Sequence, residues 1–436
     1  MRTSTVAAII AALSLAGCQS AQRAGSYVPL SASATGAAAV EGTATERVIY
    51  SFPGAPNGWL PEASPIVDAS GRLYGPTMRG GVTSGSDCGG TGCGEIYRLS
   101  LAGGRWVATT LASFNGNDGD YPSYPVVADA TGNLYGATDV GGDLGVAYGL
   151  VSGRLQQIHN FRGGHDGAQP RSNLIFDRHG NLYGTTVSGG TGGSGGNGTV
   201  YELTPGSGGK WTETVLHRFT LARAGTNPQA GVIFADGGRL FGTTSYGGNT
   251  ACAAGCGVVY ELTPSGSRWR AAVIHAFDGS DGDTSVASLV SDTAGNLYGT
   301  ADEGGTAGCY GGCGTLFELQ PKKGGGWGFS VIHNFNQNTG GGPKGNLVFD
   351  KAGNIYGSTV IGGNISACRQ QIGCGVVFKL APAAHGRWTY TVLHIFNNTP
   401  DGALANGVVL APNGRLYGTT IGGGTFGQGA VFEVKP

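Results

Sequence analysis

Charged side chains are scarce in this sequence, and no stretch of it is strongly basic. Asp, Glu, Lys and Arg make up 12% of the 436 residues, and the formal net charge is −1. Nucleic-acid-binding proteins usually carry clustered positive charge, so the composition argues against that class. Helical periodicity is also missing, as are nucleophile-elbow, phosphate-loop and zinc-helix motifs. The sequence therefore indicates a folded β protein without a recognisable catalytic motif.

Long apolar runs are missing except near the N-terminus. There Arg2 precedes "VAAIIAALSLA", a run too short to anchor stably across a bilayer, and "LAGC" follows, ending at Cys18. This order is typical of a lipoprotein signal, so we expect residues 1–17 to be cleaved and Cys18 to be lipidated. An ordinary secretory signal is the alternative. Residues 18–45 are expected to form a flexible tether. With no Asp after Cys18, we expect an outer-membrane lipoprotein, either periplasmic or surface-exposed.

Glycine, in contrast, is abundant, with 85 residues, and it recurs with a period. Each copy of the repeat holds four short β-type runs separated by turn residues, as in "NLIFD", "LYGTT", "GTVYELTP" and "WTETVLHRF". Four antiparallel strands repeated in this way predict a β-propeller, an all-β fold in which no single blade can bury both of its faces. The seven "LYG" cores, or their close variants, begin at Leu73, Leu134, Leu182, Leu240, Leu297, Ile355 and Leu416.

The two ends of the repeat region predict how the propeller closes. The last copy stops after its third strand, "AVFEVKP" (430–436), whereas "RVIYSF" (47–52) at the other end is similar to a fourth strand. We therefore expect the N-terminal strand to complete the last blade. The predicted fold is a seven-bladed β-propeller over residues 46–436, with four antiparallel strands in each blade.

These repeat motifs carry a resemblance to a known family. "GNLYGTT-x-x-GG", "G-x-V-[FY]-x-L-T-P" and "W-x-x-x-x-L-H-x-F" resemble the Gloeo/Verruco (GloVer) tandem repeat of bacterial surface and envelope proteins. The resemblance covers residues 47–436, and "AYGLVS" (147–152) in the second copy departs most from the pattern. It implies a propeller-like fold and attachment to the envelope by varied anchors. It implies no catalytic residue and no agreed biochemical activity.

The cysteines other than Cys18 form four local pairs. Each pair brackets the predicted loop between the second and third strands of a blade. In an oxidising envelope compartment this spacing favours disulfides that close short loops, whereas a zinc site would need pairs from two blades to converge. The predicted bridges are Cys88–Cys93, Cys252–Cys256, Cys309–Cys313 and Cys368–Cys374.

Five histidines recur two residues before a Phe in the predicted fourth strand, the outermost of each blade. Side chains spread around the rim cannot converge on one ion, so we interpret them as packing or hydrogen-bonding residues and predict no metal site and no cofactor. A structural calcium ion is the alternative raised by "DGSDGD" (278–283), but that stretch lacks the distal Glu of a calcium loop. The histidines are His159, His217, His275, His333 and His394.

Candidate ligand-binding residues lie where the loops that enter the blades depart from the repeat. We expect these loops to share one face around the axial mouth, where carboxylates and aromatic rings together suit sugar ligands. Asp-Gly pairs also simply make turns, and the aromatic rings are as well explained by packing over the blades. The candidates are Trp59, Asp118, Asp120, Tyr121, Tyr124, Asp166, Asp281 and Asp401.

Two classes of function remain open at this stage. The first is a non-catalytic module, expected to be monomeric, that binds a glycan or an envelope protein at the axial mouth. The second is a polysaccharide lyase or glycoside hydrolase that uses a pair of loop carboxylates, either Asp118 with Asp139 or Asp281 with Asp302. A purely structural role is a further alternative, because propellers host binding proteins and enzymes alike.

Overall fold

The computed structural model describes residues 44–83, 88–191, 195–220, 222–305, 308–368 and 371–436. Within these ranges the chain forms seven four-stranded antiparallel sheets, and this confirms the predicted seven-bladed propeller. Single 3₁₀ turns occur at Ser207–Gly209, Ala222–Ala224, Asp236–Gly238 and Ala384–Gly386. The predicted signal peptide, Cys18 and the tether up to residue 43 lie outside the described residues.

The strands are named in chain order, and each blade contains four of them. Blades 1 to 3 comprise β2 (Ile66–Val67), β3 (Leu73–Thr77), β4 (Glu95–Ala102) and β5 (Arg105–Ser113); β6 (Val127–Ala128), β7 (Leu134–Thr138), β8 (Val146–Val151) and β9 (Arg154–Asn160); and β10 (Ile175–Phe176), β11 (Leu182–Thr186), β12 (Thr199–Pro205) and β13 (Trp211–Arg218). Blades 4 to 6 comprise β14 (Ile233–Ala235), β15 (Arg239–Thr244), β16 (Val258–Ser265) and β17 (Arg268–Ala276); β18 (Val290–Ser291), β19 (Leu297–Ala301), β20 (Thr315–Pro321) and β21 (Trp327–Asn334); and β22 (Val348–Phe349), β23 (Ile355–Thr359), β24 (Val376–Pro382) and β25 (Trp388–Ile395). Blade 7 comprises β26 (Ala403–Leu410), β27 (Leu416–Gly422), β28 (Ala430–Lys435) and the N-terminal strand β1 (Thr45–Ser51).

The glycine of each LYG motif makes room for an aromatic ring from the third strand. A Cβ at Gly75 would lie 2.7 Å from the Tyr97 hydroxyl oxygen, and one at Gly299 would lie 2.5 Å from Cζ of Phe317. Both rings are fully buried. The repeated glycine is therefore a packing requirement, because a side chain there would displace the largest core residue of the blade.

The hairpin between the first and second strands is held by an aspartate. In blade 1, Oδ1 of Asp68 accepts the backbone N–H groups of Ser70 and Arg72, both at 2.9 Å, and Oδ2 accepts the hydroxyl of Tyr74 at 3.1 Å. Partial burial alone would raise the pKa of Asp68, but the hydrogen bonds from Ser70 and Arg72 lower it to about 2. The same turn recurs at Asp129, Asp177, Asp292 and Asp350.

The ring closes as the two chain ends predict. Strand β1 pairs antiparallel with β28, from Thr45 opposite Lys435 to Ser51 opposite Ala430. Directly after β1, the ring of Phe52 is buried with 2% exposure in a core shared with blades 1 and 7. The N-terminal strand is therefore the outermost strand of blade 7, and it protects the edge of β28.

At six of the seven junctions between blades, as far as the described residues show, a residue in the left-handed conformation in the entering loop donates its N–H to the preceding blade. At the junction of blades 1 and 2 the left-handed residue is Tyr121, whose N–H donates to Asp120. Asn227, with φ 62°, donates its N–H to the carbonyl of Asn197 in the preceding blade at 2.8 Å. Its own carbonyl accepts the N–H of Ser245, just after β15, at 3.1 Å. Non-glycine residues usually avoid this conformation, and the two hydrogen bonds offset its cost. The interblade donors are Leu60, Gln169, Asn227, Thr284, Gly342 and Leu404, and their acceptors are Gln428, Leu144, Asn197, Cys256, Cys313 and Cys374.

All four predicted disulfides are present, with Cα–Cα distances of 5.0 to 5.4 Å. In blades 4, 5 and 6 the second cysteine of the pair also supplies the carbonyl that accepts the interblade hydrogen bond. Each disulfide that closes such a short loop contributes about 2 kcal/mol to the stability of the fold. Asn197 and Gln428 supply the same carbonyl without a disulfide, so the bridge reinforces the junction and is not required for its geometry.

Removing β1 tests ring closure directly. A chain that begins at Gly54 lacks β1 and Phe52, so we expect it to lose at least about 3 kcal/mol of stability relative to a chain that begins at Ala44. Urea unfolding followed by tryptophan fluorescence measures the difference. Adding a peptide of residues 44–53 should restore the midpoint, and a scrambled peptide should not. Equal midpoints for the two chains would contradict the closure described here.

Candidate ligand site at the axial mouth

The entering loops run from the outermost strand of one blade to the innermost strand of the next. Their last residues before the first strand therefore meet around the propeller axis. Four residues before β2, β10 and β22 stand Glu62, Arg171 and Lys344. The same place in blades 2, 4 and 5 is taken by the uncharged Ser123, Gln229 and Val286. This position therefore carries a charged residue in blades 1, 3 and 6 and an uncharged residue in blades 2, 4 and 5.

Two of these charged residues form ion pairs with the preceding blade. Arg171 donates from Nε and Nη2 to the two carboxylate oxygens of Asp139, each at 2.7 Å, so the pair is bidentate. The Nζ of Lys344 lies 3.3 Å from Oδ2 of Asp302. Asp139 and Asp302 both directly follow the second strand of their blades, so the two pairs occupy equivalent positions in different sectors of the ring. The charge of Asp302 raises the pKa of Lys344.

Glu62 connects the two ion pairs electrostatically across the mouth. Burial raises the pKa of its carboxyl, and Ser123, Lys344 and Arg171 partly oppose that effect. Tyr124 lies beside the same groups, and burial first, then the charge of Asp139, raises the pKa of its phenol. Because these residues come from blades 1, 2, 3 and 6, their interaction places them together at the axis. We define the axial mouth as Glu62, Tyr124, Asp139, Arg171, Asp302 and Lys344.

A hydrogen-bonded floor lies beneath the mouth, two residues before the first strands. The hydroxyl of Ser288 donates to Oδ1 of Asn173 at 2.7 Å, which links blades 5 and 3. The backbone N–H of Ser288 donates to Oδ1 of Asn346 at 3.0 Å. A side chain at Gly345 would collide with the backbone of Gly407, so the chain packs tightly at this level. The polar residues of the mouth therefore lie next to these contacts, and we call the surface that they form the cup.

Asp120 and Tyr121, both predicted ligand-binding residues, lie at the edge of the cup beside Arg79. The guanidinium of Arg79 stands 3.9 Å over the ring centroid of Tyr121, and its Nη1 lies 3.7 Å from Oδ1 of Asp120. Burial raises the pKa of Asp120 to about 6, although Arg79 lowers it, and Asp139 adds to the rise. The ring of Tyr121 is thus covered by a cation and does not offer both faces to a ligand.

Three of the predicted Asp-Gly carboxylates lie at the outer rim and not at the axial mouth. Each lies five or six residues after the outermost strand. Each contacts the fourth-strand histidine of its own blade: Asp166 with His159 at 2.8 Å, Asp281 with His275 at 2.9 Å, and Asp401 with His394 at 3.1 Å. The expectation that they ring the mouth is corrected, because an entering loop begins at the rim and reaches the axis only several residues later.

The remaining predicted residues are also held locally. Trp59 is half-buried and packs against the core between blades 7 and 1, so it does not form a free aromatic shelf. Asp118 accepts the N–H of Asn115 within its own turn at 2.8 Å. Three members of the predicted catalytic pairs have basic partners: Asp139 binds Arg171, Asp302 binds Lys344, and Asp281 binds His275. Of the predicted aromatic residues, Tyr124 belongs to the mouth.

Two rim histidines contact a second carboxylate that the sequence analysis missed. Glu213 joins His159 and Asp166, and burial together with the charge of Asp166 raises the pKa of Glu213 to about 8. Glu46 stands in the same relation to His394 and Asp401, and burial with the charge of Asp401 raises its pKa to about 8.

Arg171 and Lys344 were missed as well, although a signal for them was present. Superimposing the copies on the first strand places both at a position that is uncharged in blades 2, 4 and 5. The glutamates carried a weaker signal, since a charge on an outer strand usually means solvent exposure.

The fold and the mouth define a disulfide-bonded, seven-bladed propeller with a charged polar cup on its axis. The chain belongs to the Gloeobacter/Verrucomicrobia repeat family, whose sequence model matches residues 39–195, 85–311, 191–385 and 292–436. This confirms the resemblance carried by the LYG-centred motifs. A search of curated proteins finds no match to the chain.

Several solved structures are similar to this chain. A putative 6-phosphogluconolactonase from Bacteroides uniformis is 14% identical, with 76% of this chain and 86% of that chain covered and a TM-score of 0.48. A periplasmic gluconolactonase from Pseudomonas aeruginosa is 16% identical, with 80% and 94% covered and a TM-score of 0.49. A putative glucose dehydrogenase from Thermus thermophilus is 18% identical, with 71% and 95% covered and a TM-score of 0.40.

The raised pKa of Asp120 predicts a pH-dependent stability. Between about pH 4 and pH 6 the folded chain holds a proton on Asp120 that the unfolded chain has released, so this group makes the fold less stable as pH rises. Asp120 should lower the free energy of unfolding by at most about 3 kcal/mol between pH 4 and pH 7. Asp120→Asn should remove this pH dependence. Urea midpoints at four pH values measure the effect.

Asp68→Asn is the matched control, because the pKa of Asp68 is lowered to about 2. The contribution of Asp68 to stability therefore changes with pH mainly below about pH 4. Its stability should parallel that of the wild type from pH 4 to pH 7. A parallel curve for Asp120→Asn would show that Asp120 is not held in its protonated form by the fold.

Proposed function

We propose that the protein is a non-catalytic binding module that takes an acidic glycan at the axial mouth. The observation that carries the proposal is the unequal exposure of the two ion pairs. The side chains of Arg171 and Lys344 are 37% and 41% exposed, whereas those of Asp139 and Asp302 are 18% and 11% exposed. The cations are therefore the more accessible members of the two pairs, and the less exposed carboxylates hold them in position.

The chemistry of the cup suits a polymer that carries both carboxylates and hydroxyls. A guanidinium and an ammonium group on two sides of the mouth match the carboxylates of successive uronic-acid residues. The phenol of Tyr124 is neutral at physiological pH, and burial raises its pKa further, so it can donate a hydrogen bond to a sugar hydroxyl. Glu62, between the cations, supplies an acceptor.

Binding to polysaccharides tests this proposal. We expect retention of the protein on polygalacturonate or alginate and not on dextran. Removing either cation (Arg171→Gln or Lys344→Gln) should weaken binding about tenfold or more, because a hydrogen bond to a charged group contributes about 1.5 to 3 kcal/mol. Affinity electrophoresis in gels containing the polymer measures the change, with unfolding midpoints as a check on stability.

Arg178→Gln is the matched control. Arg178 lies in the hairpin turn of blade 3, on the face of the propeller opposite the mouth, so its loss should leave retention unchanged. Equal retention on charged and neutral polymers, or equal losses in all three variants, would contradict a specific site at the mouth.

An enzyme that cleaves glycans is the second candidate, and Glu62 is the reason. A carboxyl with a raised pKa near the carboxylate of Asp139 resembles the acid and base of a glycoside hydrolase. Release of new chain ends from the same polymers, lost in Glu62→Gln, would replace the binding proposal with catalysis. Retention without release of ends would support the binding proposal.

We further propose that the propeller is displayed on the bacterial envelope as a monomer attached through lipid on Cys18. The four disulfides support an oxidising compartment. Among the residues that the structure describes, no helix is long and apolar enough to cross a membrane.

Fractionation of cells tests the anchor. The wild-type chain should sediment with outer membranes, and its mature N-terminus should be a lipid-modified Cys18 by mass spectrometry. Cys18→Ser should appear in the soluble periplasmic fraction. Membrane association of Cys18→Ser would contradict the lipid anchor and leave the glycan proposal untouched.

A further inference from the structure

At the outer rim, the outermost strands of neighbouring blades contact each other. At these junctions the residue two before the fourth-strand Phe faces a residue on the outermost strand of the next blade. That partner is the residue paired with the last apolar position of its third strand, as Glu213 is paired with Leu203. The residues at the equivalent register of other blades are Ala271, Phe329, Tyr390 and Glu46. In that order, they face His217, His275, His333 and His394 of the preceding blades.

At two junctions the facing residue packs as a ring on the histidine. His275 stacks on Phe329 with ring centroids 3.5 Å apart, and His333 stacks on Tyr390 at 3.9 Å. An aromatic residue can therefore fill the position that faces the histidine. A glutamate is not required there by the packing of the blades, and its presence at two other junctions calls for a different explanation.

At those two junctions a histidine and two carboxylates converge. The ligand atoms of His159, Asp166 and Glu213 lie within 4.8 Å of one another, and the same holds for His394, Asp401 and Glu46. In the second group Nε2 of His394 is 3.1 Å from Asp401 and 3.9 Å from Glu46. The two clusters join blade 2 to blade 3 and blade 6 to blade 7.

Both glutamates carry an unsatisfied oxygen. Oε1 of Glu213 and Oε1 of Glu46 are buried and have no hydrogen-bond partner among the described residues. The Glu46 side chain as a whole is 11% exposed. A buried carboxylate oxygen without a donor, beside a second carboxylate, is unfavourable unless a bound proton or a cation compensates the charge.

Each cluster opens onto a cavity that gives access from solvent. His159 and Asp166 line a groove of about 420 Å³, and Glu46, His394 and Asp401 line one of about 690 Å³. An ion in the larger groove therefore meets one imidazole nitrogen and two carboxylate groups. An ion in the smaller groove meets His159 and Asp166, and the ligand atom of Glu213 lies within 4.8 Å of theirs.

We propose that each of these two rim clusters binds one divalent transition-metal cation, with Zn²⁺ the best match, through the imidazole nitrogen of the histidine and one oxygen from each carboxylate. Imidazole favours Zn²⁺ over the hard cations Ca²⁺ and Mg²⁺, which prefer oxygen ligands alone. Three protein ligands leave a position open for water. The ion links the outermost strands of neighbouring blades.

The position of the second cluster gives the metal a role in ring closure. Glu46 belongs to β1, the strand that completes blade 7, whereas His394 and Asp401 belong to blade 6 and the loop after it. An ion here ties the N-terminal strand to the neighbouring blade as well as to β28. Metal should therefore stabilise the closed ring by mass action.

The number of bound ions tests the proposal. Isothermal titration of the untagged full-length chain with ZnCl₂, after dialysis against EDTA, should give two sites. Glu213→Ala, which copies the Ala271 of the next junction, should leave one site, and so should Glu46→Ala. The double variant should leave none. Within each altered cluster we expect Zn²⁺ affinity to fall at least about tenfold.

His217→Ala is the matched control, because His217 is a fourth-strand histidine whose facing residue is Ala271, and it should leave two sites. Thermal unfolding gives a second readout: Zn²⁺ should raise the Tm of the wild type and leave that of the folded double variant unchanged. No binding to the wild type, Ca²⁺ binding in place of Zn²⁺, or two sites retained in the double variant would each overturn the proposal.

Discussion

The interblade hydrogen bond from a left-handed residue is the contact on which the rest of the structure depends. It joins the loop that enters a blade to the loop between the second and third strands of the preceding blade, as Asn227 does with Asn197. The next residue in most blades is a proline that packs on a glycine of that preceding loop: a Cβ at Gly198 would lie 2.6 Å from Cδ of Pro228. The glycine of the preceding loop, the proline of the entering loop and the left-handed residue before that proline therefore all contribute to the same contact between blades.

The junction holds the backbone of the entering loop in place. The side chains of the residues just after it can therefore differ from blade to blade. Arg171 and Lys344 follow their left-handed residues Gln169 and Gly342 by two positions. The carboxylates they bind, Asp139 and Asp302, stand beside the same junctions, directly after the second strands. A rigid ring thus presents charged side chains at defined positions, as a preorganised binding site requires.

The repeat made the fold predictable, and the site was only partly so. Seven LYG copies with four β-type runs and a displaced fourth strand lead directly to a closed propeller. The Asp-Gly carboxylates were assigned to the mouth because the loop as a whole faces it. The chain leaves the rim at Asp166 and reaches the axis only near Arg171, and the order of residues alone does not say where along a loop that crossing occurs.

The contacts between blades were the least predictable part of the site. Glu213 meets His159 across a junction between outermost strands, and no spacing along the chain encodes that pairing. The disulfides were predictable because both cysteines of each pair lie in one short loop. Local contacts follow from the repeat, and contacts between blades follow from the ring that the repeat builds.

Amide hydrogen exchange of the left-handed residues tests the central role of the interblade hydrogen bond most directly. We predict that the N–H of Asn227 exchanges only with global unfolding, as do those of Gln169 and Leu404, because each is bonded to the preceding blade. Tyr121, whose N–H donates to the side chain of Asp120, should exchange faster. Exchange of Asn227 as fast as Tyr121 would show that the junction opens locally and would contradict the account.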